Sequence, residues 1–504
     1  MVKAESTSPN RPEVIAFLNA IKEKPEDDDL RLILADWLEE RDDPRGTFLR
    51  VETELASMSR FGDRYWKLRK QRNTLWKRWS SHWLTPLRPF ARSMEPLALR
   101  STRGLLVLPL DASVLQRAEL LDLAESESWA WVEEIHTRPG KRQIEKLNDS
   151  PLLSRIPSLD LSECRLDLDG AQRLAQCDFL TNLRRLNLNN SMITQAGLLA
   201  LLETGKLTNL TTWNLGRNDL YAKGMQYLAE ANLQLRELNL DSNHLSGEGG
   251  NELSKAPWLS ELEALSLSGS FATSRSRKAL FQCSALAGLR KLRVARCRLR
   301  REGMRELTGS GFVESLTSLD LSHNSIDADA LWSLASVEWS SLRKLKLSRN
   351  HLTREFLEAR MDARNLYEQL RSLSLDGQEF DSESLLQLGR SSYLRRIRSL
   401  TLDLDNVRAD AFDRFIRSPN LRALEELCID TMTYRIPPEI VQSVCSADLK
   451  TLRRLEIMPA LENDSARLLL EAQSLEQLQE IVINTYALSE ETRALLAERF
   501  DVNM

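Results

Sequence analysis

From Leu105 to Leu478 one short pattern of apolar residues returns every 24 to 28 residues. The string Ile156-Pro-Ser-Leu159-Asp-Leu161-Ser-Glu-Cys164-Arg-Leu166 defines it, with apolar residues at offsets 0, 3, 5 and 10 and a small polar or thiol residue at offset 8. The same spacing recurs at Leu183-Leu186-Leu188-Ser191-Ile193, at Leu210-Trp213-Leu215-Asn218-Leu220 and at Leu235-Leu238-Leu240-Asn243-Leu245. It continues from Leu262, Leu289, Leu316, Leu342, Leu370, Ile397, Leu424, Leu452 and Leu478, while Leu105-Leu108-Leu110 and Val132-Ile135 fit its first part. Offsets 3 and 5 alternate, so both side chains point to one face of a short strand. Offset 8 falls where the chain must turn, and an Asn there can satisfy backbone groups that would otherwise be buried without partners. Helical patterns follow, as in Gly197-Leu-Leu-Ala-Leu-Leu and Gly224-Met-Gln-Tyr-Leu-Ala. A strand and a helix in about 27 residues make one coil, which buries its leucines only when coils stack.

The bulk numbers agree with thin repeated layers. The chain has 504 residues, more than one compact core usually holds, with 42% hydrophobic but only 6% aromatic residues. Charged residues are 28% with a net charge of −4, so no global field points to nucleic acid or a membrane. The six cysteines contain no CxxC pair, which predicts reduced thiols rather than a disulfide scaffold or a zinc site. MVKAESTSPNRPEV carries no apolar signal region, and no apolar run reaches membrane-spanning length. A cytoplasmic location is expected. Catalytic patterns are missing too: there is no HExxH, no GxSxG and no GxxxxGK[ST]. Neither enzyme activity nor a metal or other cofactor is expected.

The repeated LxxLxLxxN/CxL string with a following helix resembles the ribonuclease-inhibitor-like class of leucine-rich repeats, over about residues 105–500. That resemblance implies an α/β leucine-rich-repeat solenoid of about 14–15 units over residues 101–500. Such a solenoid is a horseshoe with parallel strands on the concave face and helices on the convex face. The pattern weakens at the C-terminal end, where offset 8 is Met432, Ala460 and then Tyr486, so irregular turns and a capping role are expected there.

Residues 1–100 form a separate small all-α domain in this reading. Val14-Ile15-Phe17-Leu18-Ile21 and Leu30-Leu32-Ile33-Leu34-Trp37-Leu38 are two amphipathic helices joined by the acidic turn Pro25-Glu-Asp-Asp-Asp, and a third is expected to start at Phe48 after Asp43-Pro44-Arg45-Gly46. The ADWLEERDDPRGTFLR core, Ala35 to Arg50, is similar to the small helical "repeat-companion" domain of planctomycete-type bacteria. That likeness implies a bacterial source and an architecture, but little about function. Residues 60–92 are basic and tryptophan-rich: Arg60 to Arg78 holds eight Lys or Arg and one Asp, and Trp76, Trp79 and Trp83 share a helical face. Residues 11–58 hold thirteen acids against seven bases, so packing against these acidic helices is expected in preference to nucleic-acid contact.

Offsets 2, 4 and 6 point away from the core and line the open sheet. There they give a charge map. Lys291, Arg293 and Arg296 open a basic zone, Asp320 and His323 follow, and Lys344, Lys346 and Arg349 are basic again. The sign then flips at Asp376, Asp403, Glu426 and Asp430. This face is the candidate partner-binding site, for a protein with opposite polarity along its length. Cys428 at offset 4 is the thiol expected to be accessible. The leading function is a non-catalytic protein-interaction scaffold, expected to be a monomer. A regulator of a GTPase or other enzyme is the second reading, and nucleic-acid association through residues 60–92 is the third.

Overall fold

The computed structural model describes residues 10–92, 100–148, 150–245, 247–271, 273–352, 369–378, 380–431 and 434–503. The chain divides into two compact units. One comprises Met1–Leu245 with Lys255–Leu262, and the other comprises Ser246–Ser254 with Glu263–Met504.

The first unit begins with four helices: α1 (Pro12–Glu23), α2 (Asp28–Glu39), α3 (Pro44–Ser57) and α4 (Asp63–Trp83). The acidic turn does precede the second helix, and Asp27 within it caps α2 by accepting from the Asp29 N–H at 3.1 Å. The third helix starts at Pro44 rather than Phe48. Asp43 accepts from the Arg45 N–H at 3.0 Å and Pro44 occupies the first turn, where a missing N–H costs nothing. Gly46 in that turn lies against α2, since a β-carbon there would fall 2.6 Å from the Ala35 carbonyl oxygen.

The strands of this unit are β1 (Arg100–Thr102), β2 (Leu105–Pro109), β3 (Val132–His136), β4 (Ser158–Asp160), β5 (Arg185–Asn187), β6 (Thr212–Asn214) and β7 (Glu237–Asn239). β1 pairs antiparallel with β2, and β2 to β7 pair in parallel in chain order. Their offset-3 residues align across the strands: Leu159 faces Leu186, Leu186 faces Trp213 and Trp213 faces Leu238. All four are at most 2% exposed.

The second unit holds β8 (Ala264–Ser266), β9 (Lys291–Arg293), β10 (Ser318–Asp320), β11 (Lys344–Lys346), β12 (Ser372–Ser374), β13 (Ser399–Asp403), β14 (Glu426–Asp430), β15 (Arg454–Ala460), β16 (Glu480–Asn484) and β17 (Asp501–Asn503). Each pairs in parallel with the next. Leu292, Leu319, Leu345, Leu373, Leu400 and Leu427 follow one another across the sheet, all buried. Helices alternate with strands, many N-capped by a side chain: Asp327 accepts from Ala330 N, and Asp381 from Ser384 N. Each unit is thus built of stacked leucine-rich-repeat coils, sharing an aliphatic spine as the 27-residue period requires.

The C-terminal change has a definite form. Strands lengthen from three residues in β12 to five in β13 and seven in β15, and the pairing slips between Ile457 and Ala460. Ala460, at offset 8, lies inside β15, because without an amide side chain to fill the turn the backbone satisfies itself in the ladder. β17 lies outside the leucine pattern and was not foreseen from it.

Candidate binding surface

Three positions build the turn that ends each strand. At offset 4, Asp160, Asn187, Asn214, Asn239 and Asp320 each accept, through Oδ1, the backbone N–H two residues on, at 2.8 to 3.1 Å. These residues were assigned from sequence to the open surface, yet their carboxamide or carboxylate closes an Asx turn. At offset 7 the backbone is left-handed: Glu163, Asn190, Arg217 and Ser242 in the first unit, and Gly269, Arg296, His323, Arg349 and Gly377 in the second, all have φ between +52° and +69°. This conformation directs the N–H into the next coil at Arg296, His323 and Arg349. Arg296 donates to Ser322 O at 2.9 Å, His323 to Ser348 O at 2.9 Å and Arg349 to Asp376 O at 2.7 Å. The spacing of the apolar residues missed this position; the glycines at 269 and 377 are the one signal in the sequence that points to it.

Offset 8 carries the buried amides. Asn218 accepts from Ser191 N and Ile193 N and donates to the carbonyls of Leu188 and Leu215. In the second unit Asn324 accepts from Cys297 N at 2.9 Å and donates to Val294 O at 2.8 Å and Leu321 O at 2.9 Å. Asn350 and Gln378 repeat the role in the following coils. The Cys297 thiol fills its rung as a donor to Leu267 O at 3.2 Å or Ala295 O at 3.3 Å. All six cysteines are free.

The charges predicted on the open sheet face follow from this frame. Lys291, Ser318 and Lys344 are neighbours in one row, and Arg293, Asp320 and Lys346 in the next. Two pairs of like charges therefore flank β10, each pair about 10 Å apart by the strand spacing. Lys291, Arg293, Arg296 and Arg349 are exposed, and Lys344, Lys346 and His323 half-buried. Burial, then Arg296 and Arg349, hold the His323 imidazole below its usual pKa.

The acids divide into two groups. Asp320, Asp403 and Glu426 are at most 8% exposed. Asp320 Oδ1 accepts from both Ser322 N and Ser322 Oγ, and Arg293 Nε lies 3.8 Å from its other oxygen. Asp403 accepts from Gln378 N at 2.9 Å, and burial pushes its carboxyl up to about 6. Short side chains sink between strands, whereas long cationic ones reach past them. Asp376 and Asp430 are half-buried, and Asp430 is raised by burial and by the negative charge of Asp376. Cys428 is half-buried rather than freely exposed. Burial, then Glu456 and Asp376, push its thiol up to about 12, which keeps it protonated and unreactive.

The basic tryptophan helix packs as its acidic neighbours led one to expect. Phe48 of α3 stacks on Trp76 at 5.5 Å and meets Trp83 edge-on at 5.3 Å, Trp66 is buried, and Arg72 approaches Glu52 at 3.5 Å. The helices are also joined to the first coils. Buried Glu127 receives Arg11 at 2.6 and 2.8 Å and Arg45 at 3.0 Å, and Arg103 pairs with Asp28 and Glu26. No group of three metal-binding side chains occurs among the described residues, and no described helix is long and apolar enough to cross a membrane.

Comparison with known proteins extends these observations. The comparison with curated proteins finds no match. Among solved structures, the chain is similar to an internalin from Listeria monocytogenes (18% identity, 72% of this chain and 93% of that one, TM-score 0.36). It is also similar to a leucine-rich-repeat protein of Leptospira interrogans (18%, 77% and 92%, TM-score 0.34). A chain of the yeast Rad7–Elc1 complex is a third (14%, 98% and 92%, TM-score 0.36). At such scores none of the three bears on function. The family model described as "Leucine Rich repeat" matches residues 206–229, 231–254 and 314–335, which include the Asn218, Asn243 and Asn324 turns. By that match and by the geometry of the coils around it, this chain carries leucine-rich repeats.

Proposed function

We propose that the protein is a non-catalytic interaction scaffold of the ribonuclease-inhibitor-like kind. In this reading it is a cytoplasmic monomer, residues 1–100 are a repeat-companion domain that caps the array, and the partner is a protein held on the open sheet face of the second unit. The observation that carries the reading is the pair of cationic rows flanking β10, Lys291 with Lys344 and Arg293 with Lys346. Like charges held about 10 Å apart on a fixed sheet repel; Asp320 offsets part of this between Arg293 and Lys346, and an acidic partner segment would relieve more of it. Arg296, His323 and Arg349 extend the basic zone along the left-handed ridge, and Asp376 and Asp430 offer the opposite sign beside it. Asp320, Asp403 and Glu426 contribute field rather than contact. A pre-ordered sheet limits the entropy lost on binding. Nucleic-acid association through α4 has less support, since Trp66, Trp76 and Trp83 are engaged inside the helical segment.

The test is a Lys344→Glu/Lys346→Glu double variant used as bait in native lysate beside the wild type. Partner recovery should fall at least tenfold while the melting temperature holds within about 2 °C, as for surface changes. Equal recovery at 0.15 M salt refutes the placement.

A further inference from the structure

Between α1 and the loops that precede β4 and β5, within the first unit, lies a cleft of about 310 Å³. Lys22, Arg155 and Arg184 bring three cations to its wall. Lys22 is only 6% exposed, and it makes no hydrogen bond or ion pair with any described residue. The acid that acts on it most, Glu133, gives one oxygen to Arg185 at 2.5 Å and makes no hydrogen bond to Lys22. A buried ammonium without a partner costs several kcal/mol in general, a cost the group escapes by giving up its proton or by meeting an anion. The two arginines keep donors to spare: Arg155 uses Nη1 on Glu125, and Arg184 uses Nη2 on the Glu23 carbonyl. The Glu23 carboxylate also borders the cleft, at its exposed rim. Asn182 and Asn209 donate their amide N–H groups to Ser154 O and Thr181 O, each at 2.9 Å, which leaves their side-chain oxygens as acceptors.

We infer that this cleft binds a small phosphomonoester on a hydroxyl-bearing carrier, with Lys22, Arg155 and Arg184 around the phosphate and Asn182 and Asn209 accepting from carrier hydroxyls. Three cations suit a dianion, and guanidinium forks match phosphate oxygens. The cleft volume is that of a small-molecule site at its lower limit. Burial, opposed by Glu133 and helped by Arg155, holds Lys22 down to about 7, so an arriving dianion draws a proton onto the amine.

Calorimetric titration of the full chain with glucose 6-phosphate, inorganic phosphate and glucose tests this, together with thermal melts of Lys22→Met and Arg184→Gln. Saturable binding of the sugar phosphate, tighter than that of inorganic phosphate and undetectable for glucose, is expected. Arg184→Gln should weaken it at least tenfold. Lys22→Met should abolish it while leaving the melting temperature equal or higher, which separates a ligand-binding lysine from a structural one. No saturable binding of either phosphate, inorganic phosphate binding as tightly as the ester, or a lowered melting temperature in Lys22→Met would each overturn the inference.

Discussion

The side-chain oxygen of Asn350 accepts the backbone N–H of Asn324 at 2.8 Å, so one buried amide closes the turn of the coil before its own. Asn324 does the same for Cys297 and binds three further carbonyls, of Val294, Leu321 and Ser322. Asn324→Ala therefore strands several buried backbone groups at once. It should cost about 3 kcal/mol, at the upper end of what an unsatisfied buried group costs. Urea unfolding should show a lower midpoint, and hydrogen exchange should place the first opening at Val294–Ile326.

Gly377 sits at φ +66°, and a β-carbon there would lie 2.2 Å from Arg349 Cγ and 3.3 Å from Arg349 Cα. Gly377→Ala combines left-handed strain with that collision and should destabilise by about 2 kcal/mol. Gly311→Ala, with nothing near its β-carbon and no positive φ, should change the melting temperature little. Equal effects of the two substitutions would show that the left-handed ridge is not strained.

Asp403 gives the fold a pH dependence whose sign is set by burial. Its carboxyl is raised from 3.8 to about 6 in the folded chain, so the folded state binds the extra proton between those values. Stability from this group is present in acid and lost as pH rises through about 6. Asp403→Asn, which keeps an acceptor for the Gln378 N–H, should add about 1–3 kcal/mol at pH 7 and almost nothing at pH 4. A constant difference across that range would exclude Asp403 as its source.

Glu127 is the buried acid on which Arg11 and Arg45 converge. Glu127→Gln removes the charge that holds two guanidinium groups between α1, α3 and the first coils. The loss should be about 2 kcal/mol, less than for a buried charge left without any partner, because Asp43 still faces both guanidinium groups at 2.9 Å. Proteolysis should then release the α1–α3 segment before it cuts the coils.

Much of this molecule is written in its local pattern. The spacing of Leu159, Leu186 and Leu238 already specifies coils on a shared spine, because a period near 27 with alternating apolar offsets has few other ways to bury itself. The same holds for the turn amides at Asn218, Asn324 and Asn350, and for the acidic turn that precedes α2. What the pattern could not supply is depth and distant company. Asp320, Asp403 and Glu426 occupy offsets that point outward, yet neighbouring strands about 4.8 Å away cover short side chains and spare long ones. Lys22 follows the apolar face of a helix, but the Arg155 and Arg184 beside it come from more than 130 residues along the chain. Periodicity reports what one coil does with its own residues. Burial and charge depend on which other coils and helices are brought alongside, and only tertiary packing decides that.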